Sequence, residues 1–391
     1  MYKIQTLNKI DQEGLQVFPS TNYEIASEMA DPDAIVLRSF SMHDMELPLS
    51  VKAIARAGAG VNNIPIAKCT EKGIVVFNTP GANANGVKEL VIASLLLASR
   101  NIIGGVQWAK SIAGEGDKVP VLVEKGKSCY AGSEIKGKTL AIMGLGAIGV
   151  LVANAAQSLG MNVIGYDPYI TVDHAWNLHH DIIRASSIES VLAKADFITL
   201  HMPLLAETTG FVNAEKLKMM KDGVKILNFA RGELVVDADI KAAIESKKVG
   251  SYFTDFPNAD LLKLDKVVAI PHLGASTGES EVNCAIMAAE EVRNFFENGN
   301  IQNSVNFPAA GMERNNGARL LITNKNIPAI ISKITAILAE AGINIDNMLN
   351  KNKGDIAYNI IDTNEASLSE DIVAKMKAIE GVFMVRTLPA K

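Results

Sequence analysis

Three short segments, each closing an apolar run, hold the side chains best suited to chemistry. Asn228-Phe229-Ala230-Arg231-Gly232 offers a guanidinium, Asp255-Phe-Pro-Asn-Ala-Asp260 two carboxylates, and Pro271-His272-Leu-Gly274-Ala275-Ser276 an imidazole. A guanidinium can grip a carboxylate through two parallel hydrogen bonds and polarise an adjoining oxygen. An imidazole titrates near neutrality, so it can take or return a hydroxyl proton. A carboxylate beside it orients the ring and stabilises its charged form. Removal of hydride from C2 of a 2-hydroxy acid requires these three services, which makes Arg231, His272 and an aspartate the candidate catalytic set. Singly, an arginine after a strand is most often a surface residue and a histidine after proline a turn residue. Their joint placement at strand ends carries the reading.

A hydride needs an acceptor, and Gly144-Leu-Gly146-Ala147-Ile148-Gly149 can hold one. This turn follows the apolar run Thr139–Met143 and opens an alanine-rich helix reaching Leu159. Such glycines allow a tight turn and bring backbone N–H groups at a helix start close to a pyrophosphate. Asp167, at the end of the next apolar run, can accept both ribose hydroxyls and would repel a 2′-phosphate, so NAD is favoured over NADP. A plain structural turn accounts for the glycines but not for the ordered series strand, turn, helix, strand, aspartate.

The elements that must position these groups alternate between short apolar runs and helical patterns, which predicts parallel strands with crossover helices. Strands are expected at Lys3–Leu7, Ala34–Leu37, Ala53–Arg56 and Val75–Asn78, followed by a long helix over Asn85–Arg100. A second series comprises Thr139–Met143, Asn162–Tyr166, Phe197–His201, Lys225–Asn228, Ser251–Thr254 and Val267–Ile270. Glu279–Asn298 reads as helix and Asn300–Gly311, with Pro308, as a linker. From about Ala318 to Lys391 the order strand, helix, strand, strand, helix, strand describes a small ferredoxin-like α+β unit. The fold class is therefore α/β, with two doubly wound parallel-sheet domains and a C-terminal α+β domain.

Composition narrows the function. The chain has 391 residues, charged residues make up 21%, and the net charge of -5 leaves no basic surplus for nucleic acid. Cys69, Cys129 and Cys284 form no CxxC pair, which argues against a disulfide framework or a zinc site, and no metal is expected. The first residues lack a signal pattern, and no apolar run reaches membrane-spanning length. A cytoplasmic location and no membrane partner are the expectation. Among the other histidines, His43, His174, His179 and His180 fall in polar regions, and His201 reads as a packing residue beside the cofactor turn.

Together these residues resemble the D-2-hydroxyacid dehydrogenase family. The resemblance rests on Gly144–Gly149 with Tyr166-Asp167-Pro168, His201-Met-Pro203, Asn228–Gly232 and Pro271–Ser276. In the N-terminal part it rests on Leu37-Arg38-Ser39, Arg56-Ala-Gly-Ala-Gly60-Val61-Asn62-Asn63 and Phe77-Asn78-Thr79-Pro80. It implies a flavodoxin-like substrate domain of residues 1–100 and 283–308, with a Rossmann NAD domain of residues 101–282 inserted between. By the same resemblance Arg231 orients substrate and His272 is the acid/base. Thr79, Ala147, Ile148, Asp167, Asp255, the backbone of Phe229–Arg231 and that of His272–Ala275, Gly274 included, contact NAD. Arg38, Ser39 and the backbone at Gly60 and Val61 contact substrate. The family places a glutamate five residues beyond the Asp255 position, where this chain has Asp260. Asp260 is therefore assigned the partner role to His272, with Asp255 as the alternative.

Residues 318–391 resemble an ACT module through Leu320-Leu-Ile-Thr-Asn324-Lys-Asn326-Ile-Pro328-Ala329 and Ala341-Gly342-Ile-Asn344-Ile, with alanine where glycine is usual at 329. A family member with that tail is similar to those acting on 3-phosphoglycerate. The implied reaction yields 3-phosphohydroxypyruvate and NADH on the route to serine, with Arg38 as phosphate ligand, L-serine as effector and a homodimer or homotetramer as the assembly. Two rivals stay open. One is a family member acting on lactate, glyoxylate or hydroxypyruvate. The other is a non-catalytic NAD-sensing protein.

Overall fold

The computed structural model describes residues 1–391, and contacts divide them into two compact units, Met1–Asn83 with Glu281–Lys391, and Ala84–Ser280. The first unit begins with five parallel strands: β1 (Tyr2–Leu7), β2 (Tyr23–Ala26), β3 (Ala34–Leu37), β4 (Ala53–Arg56) and β5 (Val75–Asn78), in the order β2-β1-β3-β4-β5. β3, β4 and β5 are four-residue strands whose apolar residues are all buried, with half-buried Arg56 and Asn78 closing β4 and β5. This is the signature of parallel strands covered on both faces. One cover is the helix Gly278–Asn298, which lays Ala285, Ala288, Val292, Phe295 and Phe296 against Ile4, Ala34, Val36 and Phe77. The chain then returns along β5: Val305 N donates to Val76 O, and the Asn306 side chain bonds Val76 N and Ile74 O.

The second unit holds seven parallel strands: β6 (Thr139–Met143), β7 (Asn162–Tyr166), β8 (Ile183–Arg184), β9 (Phe197–Leu200), β10 (Val224–Asn228), β11 (Val249–Thr254) and β12 (Val267–Ala269). Their order is β12-β11-β10-β9-β6-β7-β8. The direction of winding reverses between β6 and β9, and a crevice for ligands opens at such a switch point, beyond the carboxyl ends of the strands. The helix Ala84–Ser99 belongs to this unit. Its stripe Val87, Val91, Leu95 is buried with Leu140, Ile142, Leu227 and Phe253. The division thus falls before this helix, where the sequence placed it after residue 100. Residues 102–130 form two helices and two short 3-10 segments, none with a buried residue. No single helix in the chain is long and apolar enough to cross a membrane.

The C-terminal part of the first unit is an antiparallel sheet of β13 (Arg319–Lys325), β14 (Ile345–Lys353), β15 (Ile356–Thr363) and β16 (Val382–Leu388), ordered β14-β15-β13-β16. Strand periodicity splits its side chains between two cores. Leu320, Ile322 and Ile361 pack under the helices Ile330–Glu340 and Glu370–Lys377, while Leu321, Tyr358, Ile360 and Leu388 join the core of the five-stranded sheet. Arg319 anchors the preceding linker. Fully buried, it forks onto Asp362 at 2.6 and 2.8 Å and donates to the carbonyls of Asn298, Met312 and Glu313.

Candidate active site

The glycine turn in the second unit is built to leave its helix start open. Gly144 has φ +96°, and a Cβ there would lie 2.7 Å from the His201 carbonyl oxygen. A Cβ on Gly149 would lie 2.1 Å from the Gly144 oxygen, so only glycine lets the helix Ala147–Ser158 pack against the turn. Gly146, by contrast, faces nothing within 4 Å. Asp167, directly after β7, accepts from Leu145 N and Tyr169 N, both at 2.8 Å, which pins its carboxylate over the turn. Each oxygen keeps a further lone pair for a hydroxyl.

His201, after β9, is half-buried, and desolvation of its ring holds the imidazole neutral, with a pKa pushed down to about 3. One ring nitrogen, Nε2, lies 2.9 Å from Thr199 Oγ1, while the buried Nδ1 has no partner. Buried polar atoms are nearly always paired, so a free one beside a glycine turn suits a hydrogen bond from or to a bound group. The sequence assigns His201 to packing; its unpaired ring nitrogen is a property of the folded chain alone. The open helix start, the anchored Asp167 and the spare nitrogen together fit a dinucleotide.

The catalytic candidates occupy the ends of β10, β11 and β12. Asn228 shapes the first: its Nδ2 donates to Arg231 O at 2.8 Å and its Oδ1 accepts from Ala230 N, which folds Phe229–Arg231 back over the strand end. Arg231 is exposed, and its Nη1 rests on Ala230 O at 2.6 Å. Asp255 ends β11 only 2% exposed, with Oδ2 3.4 Å from the Gly274 N–H and Oδ1 unpartnered. Burial raises its pKa, and the positive charges of His272 and Arg231 together with the Gly274 N–H oppose that rise. β10, β11 and β12 are neighbours in the sheet, so their carboxyl ends bring the three segments into one neighbourhood. His272 is exposed, and its ring lies 4.7 Å from that of Phe256, centroid to centroid. Gly274 and Ala275 continue the turn. A Cβ on Gly274 would approach Asp255 Oδ2 to 3.3 Å.

Asp260 is not part of this group, contrary to the sequence expectation. Asn258 Oδ1 accepts from Asp260 N and Leu261 N, starting a turn that buries Leu261 and sends Asp260 outward. Its side chain is 80% exposed and bonds Lys263 Nζ at 2.8 Å, and that contact lowers its pKa.

The remaining candidates lie at the carboxyl edge of the first unit's sheet. Arg38 follows β3, with its carbonyl fixed by Arg56 Nε at 3.0 Å and Asn63 Nδ2 at 3.1 Å. Its guanidinium pairs with Glu281 at 2.7 Å. Ser39 is exposed and Gly60 and Val61 are half-buried. Thr79 is fully buried, and its N–H donates to Gly58 O, bracing the loops after β4 and β5.

The sequence profile described as "D-isomer specific 2-hydroxyacid dehydrogenase, NAD binding domain" matches residues 92–274. The D-3-phosphoglycerate dehydrogenase of Haemophilus influenzae is 30% identical over 385 residues, 93% of this chain and 88% of that one. The D-3-phosphoglycerate dehydrogenase of Archaeoglobus fulgidus is 34% identical over 318 residues, which cover 78% of this chain and 58% of that one. The chain thus spans under two thirds of the length of the Archaeoglobus relative. Among solved structures, an NAD+-bound 3-phosphoglycerate dehydrogenase from Entamoeba histolytica is similar. Its TM-score is 0.59 and its identity 27%, with 78% of this chain and 98% of that one covered.

Proposed function

The chain belongs to the family of D-isomer-specific 2-hydroxyacid dehydrogenases, and from that membership we propose that it is an NAD-dependent oxidoreductase converting 3-phospho-D-glycerate to 3-phosphohydroxypyruvate for L-serine synthesis. The observation that carries the reading is buried Asp255, which ends β11 between the neighbouring strands β10 and β12 and faces the Gly274 N–H of the turn that follows His272. NAD, when bound, supplies the hydride acceptor. The Arg231 guanidinium grips the substrate carboxylate and polarises the oxygen on C2. The His272 imidazole takes the hydroxyl proton, and Asp255 stabilises the imidazolium that results. Asp167 and His201 hold the dinucleotide, with Thr79 and Gly144–Gly149. Arg38, Ser39, Gly60 and Val61 take the substrate, with Arg38 on its phosphate.

In this reading residues 318–391 are a regulatory module of ACT type that binds L-serine. Exposed Ile102, Val106 and Val121, on helices without buried residues, support assembly as a homodimer or homotetramer. The free thiols of Cys69, Cys129 and Cys284 suit a reducing cytoplasm. The test is NADH absorbance with 3-phosphoglycerate, for the wild type and His272→Ala. A general base contributes roughly two to four decades of rate, so kcat for His272→Ala should fall by at least about two. Preferred turnover of lactate or glycerate would remove the substrate assignment. NADH binding without any turnover would favour a sensor.

A further inference from the structure

Three polar side chains are shut into the core at the ends of β10 and β11. Asn228 and Thr254 are fully buried, and Tyr252 is 1% exposed. Asn228 and Thr254 are register partners across the two strands, as are Ile226 and Tyr252. Side chains two apart on a strand share a face, so the three polar groups stand together on the face that Tyr252 buries with Ile226, Leu234 and Leu261. Polar groups in an apolar core are costly unless hydrogen-bonded. The Tyr252 hydroxyl accepts from Asn228 Nδ2 at 3.3 Å, and the same nitrogen donates to Arg231 O at 2.8 Å. Burial raises the Tyr252 pKa, and hydrogen bonds from Asn228 and Thr254 oppose that rise. Thr254 Oγ1 accepts from Phe256 N at 3.1 Å, and the Phe256 ring lies against that of His272. One phenol oxygen therefore ties the loop that carries Arg231 to the strand end beside His272.

We propose that Tyr252 is a positioning residue for Arg231: its hydroxyl fixes the plane of the Asn228 carboxamide, and that plane sets the Arg231 loop. The inference rests on the reading of Arg231 and His272 as the groups that handle the 2-hydroxy acid. Asn228 grips the loop at two points, Arg231 O and Ala230 N, so both bonds depend on one amide plane. The last torsion of an asparagine is broad, and a third hydrogen bond closes that freedom. Without the hydroxyl, one buried N–H has no partner, and an amide that turns to find one gives up Arg231 O or Ala230 N. A guanidinium on a shifted loop loses the fixed geometry that two parallel hydrogen bonds to a carboxylate require.

Tyr252→Phe removes the single oxygen and keeps the ring. An unpaired buried donor is costly, so kcat/KM for 3-phosphoglycerate should fall by about five- to fiftyfold. The NADH dissociation constant, read by fluorescence titration, should hold, because Asp167 and the glycine turn lie elsewhere on the sheet edge. Tyr358→Phe removes an equally buried hydroxyl, bonded to Gly299 O at 2.6 Å, and should cost stability while leaving kcat/KM unchanged. Arg231→Lys keeps the charge and gives up the planar fork. In that background Tyr252→Phe should lower kcat/KM by less than about twofold, whereas a general loss of stability would multiply through undiminished. Thr254→Val frees the phenol from the other side, should act in the same direction, and serves where Tyr252→Phe does not fold. The proposal is overturned by wild-type kcat/KM in the folded variant, by an equal loss in Tyr358→Phe, or by an undiminished effect in Arg231→Lys. If the wild type does not oxidise 3-phosphoglycerate, lactate or glycerate, the proposed function fails first and this inference with it. Turnover without a Tyr252→Phe effect sinks the inference alone.

Discussion

Asparagine at position 255 and, separately, at position 260 puts the two candidate partners of His272 in direct competition. Asp255 is 2% exposed, and the charges of His272 and Arg231 act on it, whereas Asp260 bonds only Lys263 and stands in solvent. Hydrogen bonds and contacts involving a charged group contribute about 1.5–3 kcal/mol. At 1.36 kcal/mol per decade, Asp255→Asn should lower kcat by about one to two decades. Asp260→Asn should stay within about twofold of the wild type, because an exposed pair contributes little. Stability should move the opposite way to activity. Burial holds the Asp255 carboxyl above its ordinary pKa, so its ionisation opposes the fold. That cost is absent at pH below the ordinary carboxylate value and fully present once the pH has risen through the raised one. Asp255→Asn, which never ionises, should therefore melt higher than the wild type at neutral pH and lose that advantage in acid. Initial rates by NADH absorbance and calorimetric melting at two pH values measure both arms. Wild-type kcat in Asp255→Asn, with a loss of two decades in Asp260→Asn, would refute the geometric reasoning.

Three further outcomes follow from buried or strained groups. Glu291 is buried with Oε2 unpartnered, and burial pushes its pKa up to about 8. Its raised value means that stability is lost as the pH climbs from the ordinary 4.5 through about 8. Glu291→Gln should flatten that decline in a series of melting curves, and an unchanged slope would contradict it. Asp362→Ala leaves Arg319 charged and buried; breaking such a pair costs about 3–5 kcal/mol. Hydrogen-exchange protection across β13 and β15 should drop by about two to four decades, and a drop under one decade would argue against a buried charge. Ala329 adopts φ +69° at the start of the helix Ile330–Glu340. Left-handed backbone costs a non-glycine residue about 1–2 kcal/mol, part of which glycine returns through the unfolded chain. Ala329→Gly should thus raise the melting temperature of the C-terminal sheet slightly, and a lowered one would show that the strain is absent.

Much of the fold was legible residue by residue. β3, β4, β5, β6 and β7 begin and end where the apolar runs do, because a parallel strand buried on both faces leaves no ambiguity of period. The C-terminal order of elements matched for a related reason: alternating side chains feed two separate cores. Two weak strands escaped notice, β2 with polar and partly exposed residues and β8 with only two, both exposed. The helix Ala84–Ser99 was expected, but its allegiance was not, since an apolar stripe states that a helix is buried without stating against which sheet.

For the site, sequence alone determined which residue types are present and which strand ends carry them: the glycine turn, Asp167, Arg231, Asp255 and His272. Those features depend on local backbone chemistry and on strand order, both of which are written in short segments. Only the tertiary structure decided which carboxylate turns inward. That choice hangs on Asn258 capping the turn and on Leu261 taking the buried place, a competition no spacing rule encodes. It also decided that His201 keeps a buried nitrogen without a partner and that Arg38 is paired with Glu281, far away in the chain. Such pairings are settled by which groups packing leaves dry or brings within hydrogen-bond reach, and both are properties of the folded chain rather than of any segment.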